Sequence, residues 1–443
     1  MRLVSLVVYL FITFFLILFS SSYAQNWQIT ELDSSSTNKF GIVMAKDNLD
    51  SLYIMYQSGG NLHYQYGSYS NWSSGSTGIQ QRLASIQIDT LGQIHGVGLN
   101  PGNTRILYCK LGSADTLIDT VSFYAYGYTG PSIALDASGR PAISFCKTLV
   151  DSLFYGVYEG SNWSTEGIAH LSPYASASKI AIRGSDNFIA AVSSAITYAK
   201  YHNGNWQTNV LADQGIEGLI GFDLDNENHG YIPYNRNYNQ YLGPLNLLYE
   251  TDTGWTNIIL DTSGTVYGGG IGIKFDQQNN INIVYAIITN DESMRYLKYA
   301  YRHDNSWNYE FIDSMALGFP GAMEITSDGS IHIAYLKANR QYENLFYAYR
   351  QNPQDILLDS HPIPRIITLS AYANPFNSST TLSISNGKAA DISIYDITGR
   401  QIATLFAKEG KAVWDASAYS SGVYFAKASG QNNSAVIKLI YLK

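Results

Sequence analysis

Apolar and polar residues alternate with a period of two along most of this chain, which is the pattern of β-strands that bury one face. The alternation is clearest between residues 131 and 168, where it predicts four short strands, at 133–135, 142–145, 153–158 and 163–168. The segments between them contain Gly and Asn, which supply the positive φ angles that tight turns need. This stretch therefore predicts one antiparallel sheet of four strands.

The four-strand unit recurs along the chain. Each copy opens with an apolar residue, a second residue that is usually acidic, and a turn; those second residues are Ala45, Asp89, Asp136, Arg183, Asp223, Asp276 and Thr326. Successive ones are 40 to 53 residues apart. Every copy also has a tyrosine on its predicted third strand: Tyr64, Tyr108, Tyr155, Tyr198, Tyr249, Tyr299 and Tyr347. A four-stranded unit that repeats at this spacing predicts a β-propeller.

The two ends of the repeat region complement each other. A tryptophan opens the predicted fourth strand in five copies: Trp72, Trp163, Trp206, Trp255 and Trp307. The seventh copy stops after its third strand, near residue 350, whereas residues 26–32 match the fourth strand at 306–312 in pattern. We therefore predict an all-β, seven-bladed propeller at residues 25–353, in which the N-terminal strand closes blade seven and leaves no open edge.

Residues 1–24 have the features of a secretory signal peptide. Arg2 precedes an apolar run at 3–19, and a small-x-small sequence ends at Ala24. This pattern predicts export and cleavage. The alternative is a retained membrane anchor, because the apolar run is long for a signal. No later stretch is apolar enough to span a bilayer, so we expect no transmembrane segment in the mature chain.

Composition agrees with an exported all-β protein and excludes some partners. Charged residues make up 14% of the chain, against about 25% in a typical domain. The net charge of −8, without a basic stripe, argues against nucleic acid as a partner. The two cysteines, Cys109 and Cys146, lie on apolar strands of neighbouring copies, which favours buried thiols over a disulfide. We expect a monomer.

The sequence offers no clear metal, cofactor or catalytic site. His95, His229 and His332 occupy one equivalent position in three separated blades, so they predict turn-bonded or solvent-edge histidines and no shared metal. The alternating acids at 223–227 lack the Gly and Glu of a calcium loop and indicate an acidic turn. No nucleophile elbow, zinc-protease motif or phosphate loop is present. We therefore expect no metal, no cofactor and no catalytic residues.

Candidate binding residues concentrate after the second strands of blades five, six and seven. The predicted loops there, at 235–246, 286–296 and 336–344, are longer than in the first four copies and emerge on one face. They carry the candidate ligand-binding residues Arg236, Tyr238, Tyr241, Arg295, Arg340 and Tyr342. Aromatic rings and Arg suit sugar rings or protein surfaces, but loops also tolerate insertion without any ligand.

A boundary is predicted at 354–369, where several prolines follow the last repeat. Residues 370–443 then predict a second domain, a small antiparallel sandwich of immunoglobulin-like type. Its predicted strands are 380–385, 391–396, 401–407, 411–415, 422–428 and 435–442.

This second domain closely resembles the C-terminal sorting domain of the type IX secretion system of the Bacteroidota. The matching residues include Asn374, Pro375, Phe376, Asn377, Tyr395, Asp396, Gly399, Arg400, Trp414, Asp415, Gly422, Tyr424 and Lys443. The family usually has Pro where Ala373 and Ser378 stand. The resemblance implies passage through the periplasm, the type IX machinery as a partner, and release or attachment at the cell surface. The repeats more loosely resemble propeller units of exported bacterial proteins and seven-bladed lectins.

These observations predict an exported or surface-displayed propeller that binds extracellular glycan or protein. The alternative is a hydrolase or lyase, of the sialidase-like propeller kind, that acts on polysaccharide at the same face. Two converging carboxylates could support the alternative, but the many acidic turns leave the pair open.

Overall fold

The computed structural model describes residues 27–111, 116–120, 130–147, 150–173, 175, 177–213, 216–236, 243–266, 270–289, 294–303, 306–314, 322–338, 343–351, 369–372, 374, 376–384, 390–408, 410–429 and 434–442. The predicted signal peptide lies outside these residues. The chain divides into two compact units, Met1–Asn352 and Pro353–Lys443.

The described strands of the first unit form seven antiparallel sheets of four or five strands. Blades one to four are regular, and each uses four consecutive strands. They are β2 (Lys39–Lys46), β3 (Leu52–Ser58), β4 (Asn61–Ser68) and β5 (Asn71–Ser76); β6 (Arg82–Ile88), β7 (Ile94–Leu99), β8 (Arg105–Lys110) and β9 (Thr116–Thr120); β10 (Ser132–Leu135), β11 (Pro141–Lys147), β12 (Ser152–Tyr158) and β13 (Trp163–His170); β14 (Ala177–Arg183), β15 (Asp186–Val192), β16 (Ala195–His202) and β17 (Asn205–Asp213).

In blades five and six the first strand is interrupted and counts as two short segments. Blade five contains β18 (Ile216–Ile220), β19 (Asp223–Leu224), β20 (Gly230–Arg236), β21 (Leu245–Thr251) and β22 (Gly254–Asp261). Blade six contains β23 (Gly264–Val266), β24 (Gly272–Phe275), β25 (Ile281–Thr289), β26 (Arg295–His303) and β27 (Ser306–Ser314). Blade seven contains β28 (Ala322–Ile325), β29 (Ile331–Ala338), β30 (Glu343–Arg350) and, from the other end of the repeat region, β1 (Gln28–Asp33).

Strand β1 is the fourth strand of blade seven. It pairs antiparallel with β30, with Gln28 opposite Tyr349 and Thr30 opposite Tyr347. First strands of neighbouring blades also contact one another, among them β2 with β6, β24 with β28 and β28 with β2. The first strands therefore form the inner rim of the ring, and the first and last blades are neighbours. The seven-bladed all-β architecture predicted from the repeat is confirmed.

Tyrosine–tryptophan pairs join neighbouring blades. The tryptophan of one fourth strand meets the third-strand tyrosine of the preceding blade, with ring centroids 4.8–5.4 Å apart. The pairs are Trp72–Tyr347, Trp163–Tyr108, Trp206–Tyr155, Trp255–Tyr198 and Trp27–Tyr299. Such edge-on aromatic contacts stabilise a structure beyond the area they bury. The repeated tyrosines thus serve packing between blades.

A shared turn shows where the predicted repeat register was wrong. In six blades a five-residue turn begins at a residue whose backbone N–H binds the carbonyl four residues later; these residues are Asp47, Asp89, Asp136, Asp225, Asp276 and Thr326. The prediction of Ala45 and Asp223 is therefore wrong by two residues. In blade five Asp223 and Asp225 both follow the acid pattern, and the strand period of two made them indistinguishable.

The third-strand tyrosine of blade five was also misassigned. In the other blades the repeated tyrosine lies opposite one second-strand position, as Tyr299 lies opposite Val284. In blade five Leu247, opposite Pro233, holds that position, and Tyr249 lies two residues later. Tyr249 instead stacks on Tyr231 within its own blade.

The predicted equivalence of the three histidines is likewise wrong. His95 and His332 are buried on second strands, and each ring binds the hydroxyl of its blade's repeated tyrosine: His95 Nδ1 lies 2.7 Å from Tyr108 Oη and His332 Nδ1 lies 2.6 Å from Tyr347 Oη. His229 instead ends a turn, where its Nδ1 is 3.2 Å from Asp225 Oδ2. His95 and His332 are therefore internal and not at the solvent edge, but both are turn-bonded as the sequence predicts: His95 Nε2 lies 3.1 Å from Asp89 Oδ2, and His332 Nε2 lies 2.9 Å from Thr326 Oγ1.

Protonation of His332 should weaken folding. Burial lowers the pKa of His332 from 6.5 to about 4, so between these values the unfolded chain takes up a proton that the folded chain resists. Stability should be full above pH 6.5 and should fall by roughly 3 kcal/mol on going to pH 4. His332→Asn should reduce this loss, because Asn282 accepts the tyrosine hydroxyl at the same position of blade six. Denaturant titrations of both proteins at pH 7.5, 5.5 and 4.5 measure the difference. Equal losses in the two proteins would contradict a titrating role for His332.

Cys109 and Cys146 are both buried thiols, as the sequence predicts. Cys146 Sγ lies 3.4 Å from the carbonyl of Ala177 in the next blade. Burial raises the pKa of the Cys146 thiol to about 12, so it remains protonated. The two side chains act as small apolar groups.

The second unit is an immunoglobulin-like sandwich of two antiparallel sheets. One sheet contains β31 (Leu369–Tyr372), β32 (Ser379–Ile384) and β35 (Lys411–Asp415). The other has the order β34 (Gln401–Ala407), β33 (Ala390–Tyr395), β36 (Gly422–Ser429) and β37 (Ser434–Tyr441). The sequence missed β31, whose first residue falls at the end of the predicted linker.

Candidate binding face of blades five to seven

Most of the predicted binding side chains lie outside the described residues. This applies to Tyr238, Tyr241, Arg340 and Tyr342, and of Arg236 only the backbone is described, as the last residue of β20. Arg295 is described: it is exposed and begins β26, opposite Ile288. Arg236 and Arg295 thus stand at the strand ends from which the hairpins of blades five and six turn.

The predicted long loops are mainly longer hairpins. In blade six the strands stay paired as far as Thr289 and resume at Arg295, and in blade seven they stay paired as far as Ala338 and Glu343. Hairpin length can be compared as the segment between the repeated tyrosine and the second-strand residue that pairs with it. This segment spans 284–299 in blade six and 334–347 in blade seven, but only 55–64 in blade one and 190–198 in blade four. Blades six and seven therefore extend further on this face because their strands continue, whereas the pairing in blade five ends at Asn235 and Leu245.

Polar clusters, here called junction clusters, lie beneath this face at three successive blade junctions. Each joins an aspartate at the end of a fourth strand, a tyrosine from the second strand of the next blade, and a lysine. The clusters are Asp261–Tyr285–Lys298, Asp313–Tyr335–Lys337 and Asp33–Tyr56–Lys39. The three tyrosine hydroxyls donate to their aspartates over 2.6, 2.6 and 2.9 Å.

The charges in the junction clusters compensate one another. Burial alone would raise the pKa of Asp261, but hydrogen bonds from Lys298, Tyr285 and Ser263 outweigh burial and lower it. Burial and the adjacent carboxylates raise the pKa of Tyr285 and Tyr335 well above its usual range, so both remain hydrogen-bond donors. A buried pair of this kind fixes geometry more than it adds stability. The clusters therefore hold the ends of the second and fourth strands in register.

The junction clusters occupy one side of the ring. The repeated third-strand position pairs with one residue of the second strand, and the cluster tyrosine is the next residue along that second strand. Blades one, five, six and seven have Tyr56, Tyr234, Tyr285 and Tyr335 there. In blades two, three and four the same position holds Gly98, Phe145 and Ala191. The sequence alone does not single out these blades, because an apolar residue followed by Asp also precedes blade three, at Ile118 and Asp119.

Apolar and aromatic side chains are exposed beside Arg295. Met294 is 42% exposed and Phe311 63%. Tyr296 packs edge-on against Phe311 at 5.1 Å, and the buried Lys298 ammonium lies 5.1 Å from the centre of the same ring. An exposed aromatic patch on a stiff support, beside a guanidinium group, is suited to contacts with sugars or proteins. No group of His, Cys, Asp and Glu side chains among the described residues could hold a metal ion.

In the second unit, the residues that carry the sorting-domain resemblance build the sandwich. Asn374 clamps the last strand: its Nδ2 donates to the carbonyl of Lys438 over 2.8 Å, and its Oδ1 accepts the Ile440 N–H over 2.9 Å. Phe376 continues this pairing as a parallel bridge to Tyr441. The terminal strand is thereby fixed to the start of the domain.

An aromatic cluster fills the sandwich core. Trp414 is buried and meets Phe376 at 5.6 Å and Tyr424 at 5.1 Å, while Tyr424 Oη donates to the carbonyl of Ser420 over 2.6 Å.

Turn residues of the motif are local and exposed. Asp396 Oδ1 accepts the N–H groups of Thr398 and Arg400, Gly399 has a φ of 81°, and Asp415 caps Ser417. Side-chain and backbone hydrogen bonds from Thr398 and Arg400 lower the pKa of Asp396. Asn377 is exposed, Gly422 begins β36 and Tyr395 ends β33. Pro375 and Lys443 lie outside the described residues.

The fold and the C-terminal motifs together define an exported propeller protein. Residues 370–442 match the family model of the secretion system C-terminal sorting domain. The C-terminal unit is thus a type IX sorting domain, its partner is the secretion machinery, and the protein is secreted or attached to the cell surface. A search of curated proteins finds no significant match to the chain.

Solved structures agree on the fold of the repeat region. A streptogramin B lyase structure is 12% identical, with a TM-score of 0.51, and covers 75% of this chain and 100% of its own. A catalytically inactive virginiamycin B lyase from Staphylococcus aureus with quinupristin is 11% identical, with a TM-score of 0.50 and coverages of 73% and 98%. The Aleuria aurantia lectin is 12% identical, with a TM-score of 0.41 and coverages of 61% and 94%. At these identities the likeness to the two lyase structures supports the fold alone.

Within the described part of the chain, no helix has the length and hydropathy that a membrane crossing requires.

Proposed function

We propose that this exported propeller is a binding module, and that it recognises an extracellular glycan or protein through the hairpin face of blades five to seven. The observation that carries the proposal is the asymmetry of that face. The extended hairpins, the junction clusters and the exposed Arg295 patch share one side of the ring, whereas blades two to four have apolar residues at the corresponding junctions.

Ligand binding explains why blades five to seven differ from blades two to four, because the junction clusters give the hairpins of this face a rigid base. Ligand contacts are commonly made by connections that a stiff scaffold presents. Packing between blades does not require the junction clusters, because Phe145 and Ala191 suffice at the same position. Extended hairpins with fixed bases reduce the ordering cost that a ligand must overcome.

A combined variant tests the proposal. The mature protein is screened on an array of bacterial and plant glycans and on extracellular matrix proteins, and the ligand found is then titrated. Replacing Arg236, Tyr241, Arg295 and Tyr342 by Ala should abolish binding and change the free energy of unfolding by less than about 1 kcal/mol.

The matched control is Arg105→Ala. Arg105 is exposed and begins the third strand of blade two, as Arg295 begins that of blade six. It should leave binding unchanged. A ligand that binds the quadruple variant as tightly as the wild type would show that the hairpin face is not the site.

The enzymatic alternative is tested in the same samples. Release of reducing ends or unsaturated products from any bound polysaccharide would indicate a hydrolase or lyase. Binding without turnover would support the binding module.

A further inference from the structure

A groove opens between blades three and four, at the end of the ring opposite the hairpin face. Its volume is about 260 Å³. It is lined by two acids, an arginine, an amide and two tyrosines: Asp136, Glu166, Arg140, Asn187, Tyr155 and Tyr201. No sequence pattern indicates this groove, because its lining residues come from two repeats and are ordinary turn and strand residues in each.

The turn of blade four explains the groove. Six blades have the five-residue turn, and turns of adjacent blades bind each other, as Ser327 N–H does to Asp50 and Gln277 Nε2 does to the Ser327 carbonyl. In blade four the strands stay paired to Arg183 and Asp186, and only Gly184 and Ser185 connect them. This tighter turn leaves the space beside blade three open.

The groove walls are held in place by the residue behind them. Trp206 packs against Tyr155 at 5.3 Å and Tyr201 at 5.2 Å, and its Nε1–H donates to Glu166 Oε1 over 2.9 Å. On the other wall Arg140 Nε donates to Asp136 Oδ2 over 2.9 Å. One tryptophan therefore orients two rings and a carboxylate toward the same space.

The lining has the chemistry of a sugar site. Carboxylates accept bonds from hydroxyl groups, Arg and Asn donate to ring and hydroxyl oxygens, and tyrosine rings offer flat apolar surfaces to C–H faces. Arg140 and Asp136 neutralise each other, so Glu166 leaves the groove with a net negative charge that disfavours anionic sugars. The volume is below the range of about 300–1,000 Å³ typical of larger ligands.

We propose that this groove binds one neutral pyranose unit of a glycan. The site is separate from the hairpin face and does not depend on the function proposed there.

Saturation-transfer NMR on the full mature chain tests this site. The probes are the methyl glycosides of glucose, galactose and mannose, each at millimolar concentration. At least one glycoside should receive saturation from the protein. Glu166→Gln replaces one carboxylate oxygen, an acceptor, by an amide NH2 donor, and it should weaken the affinity for that glycoside about tenfold. Ser185→Trp, which keeps the six polar and aromatic lining residues named above but fills the groove, should abolish the signal.

The control variant is Arg400→Gln. Arg400 pairs with Asp396 in the sorting domain in the same turn geometry that joins Arg140 to Asp136, so it matches the chemistry away from the groove. It should leave glycoside binding unchanged, as should the quadruple variant of the hairpin face.

Three results would overturn the proposal. One is that none of the three glycosides receives saturation, and another is that the signal persists in Ser185→Trp. The third is that a cationic probe, N-acetyl-lysine methylamide, occupies the groove while the glycosides do not, which would assign it to a basic peptide. Loss of binding on the hairpin face alone would leave this site standing.

Discussion

Trp27→Ala should lower the free energy of unfolding by roughly 2–4 kcal/mol, a large effect for one residue that immediately precedes β1. Trp27 meets Tyr299 of blade six at 5.4 Å, and its Nε1–H donates to Glu310 over 2.9 Å. The buried Arg350 also binds Glu310, over 2.7 Å, and its guanidinium lies 4.7 Å from the centre of the Tyr299 ring. Removing the indole leaves a cavity beside the Tyr299 ring and takes away one of the hydrogen-bond donors to the Glu310 carboxylate.

Denaturant unfolding of the purified protein measures this loss. Trp206→Ala is the matched comparison, because Trp206 makes the same two contacts, with Tyr155 and Glu166, inside the regular part of the ring. Trp27→Phe should lose less, about 1–2 kcal/mol, since it retains a ring against Tyr299 but not the donor. An unchanged unfolding midpoint in Trp27→Ala would mean that the ring does not depend on β1.

Removal of residues 370–443 should abolish export while leaving the propeller folded. The sorting-domain match covers 370–442, and the two compact units divide near residue 353, so the deletion leaves every strand of the seven blades in place. In cells that secrete the full-length protein, we expect the truncated protein to accumulate in the periplasm.

Cell fractionation followed by immunoblotting measures the distribution. Limited proteolysis of the retained protein should give the wild-type propeller pattern, which separates failed export from failed folding. Trp414→Ala is a second variant. It removes the buried centre of the sandwich and leaves every propeller residue unchanged, so it should impair export. Truncated protein in the medium at wild-type levels would contradict the role of this domain.

The repeat in the sequence determined the architecture. A tyrosine recurring with a four-strand unit predicts seven blades, because each blade must bury both faces against neighbours and so repeats the same contacts. The sorting domain was equally visible, since Asn374, Phe376 and Trp414 each make a structural contact that few other residues can replace. Patterns that the fold itself requires can be read from one sequence.

Register within a blade was decided only by the tertiary structure. With a strand period of two, Asp223 and Asp225 satisfy the same pattern, and only the pairing of Asp225 with His229 selects between them. The same limit placed Tyr249 where Leu247 belongs and grouped His229 with the buried His95 and His332. A shift of two residues keeps the same face of the strand apolar, so the apolar pattern of the sequence fits both registers equally well.

Contacts between blades were beyond the sequence for a different reason. The junction clusters join residues of successive repeats, and the groove beside Tyr155 exists because one turn, at Gly184 and Ser185, is tighter than the others. Each of these residues is ordinary in its own repeat, and its role arises from the neighbour that closure of the ring brings beside it. The sequence by itself determined how many blades there are and how the protein is exported, whereas the packing of blade against blade decided which polar side chains meet.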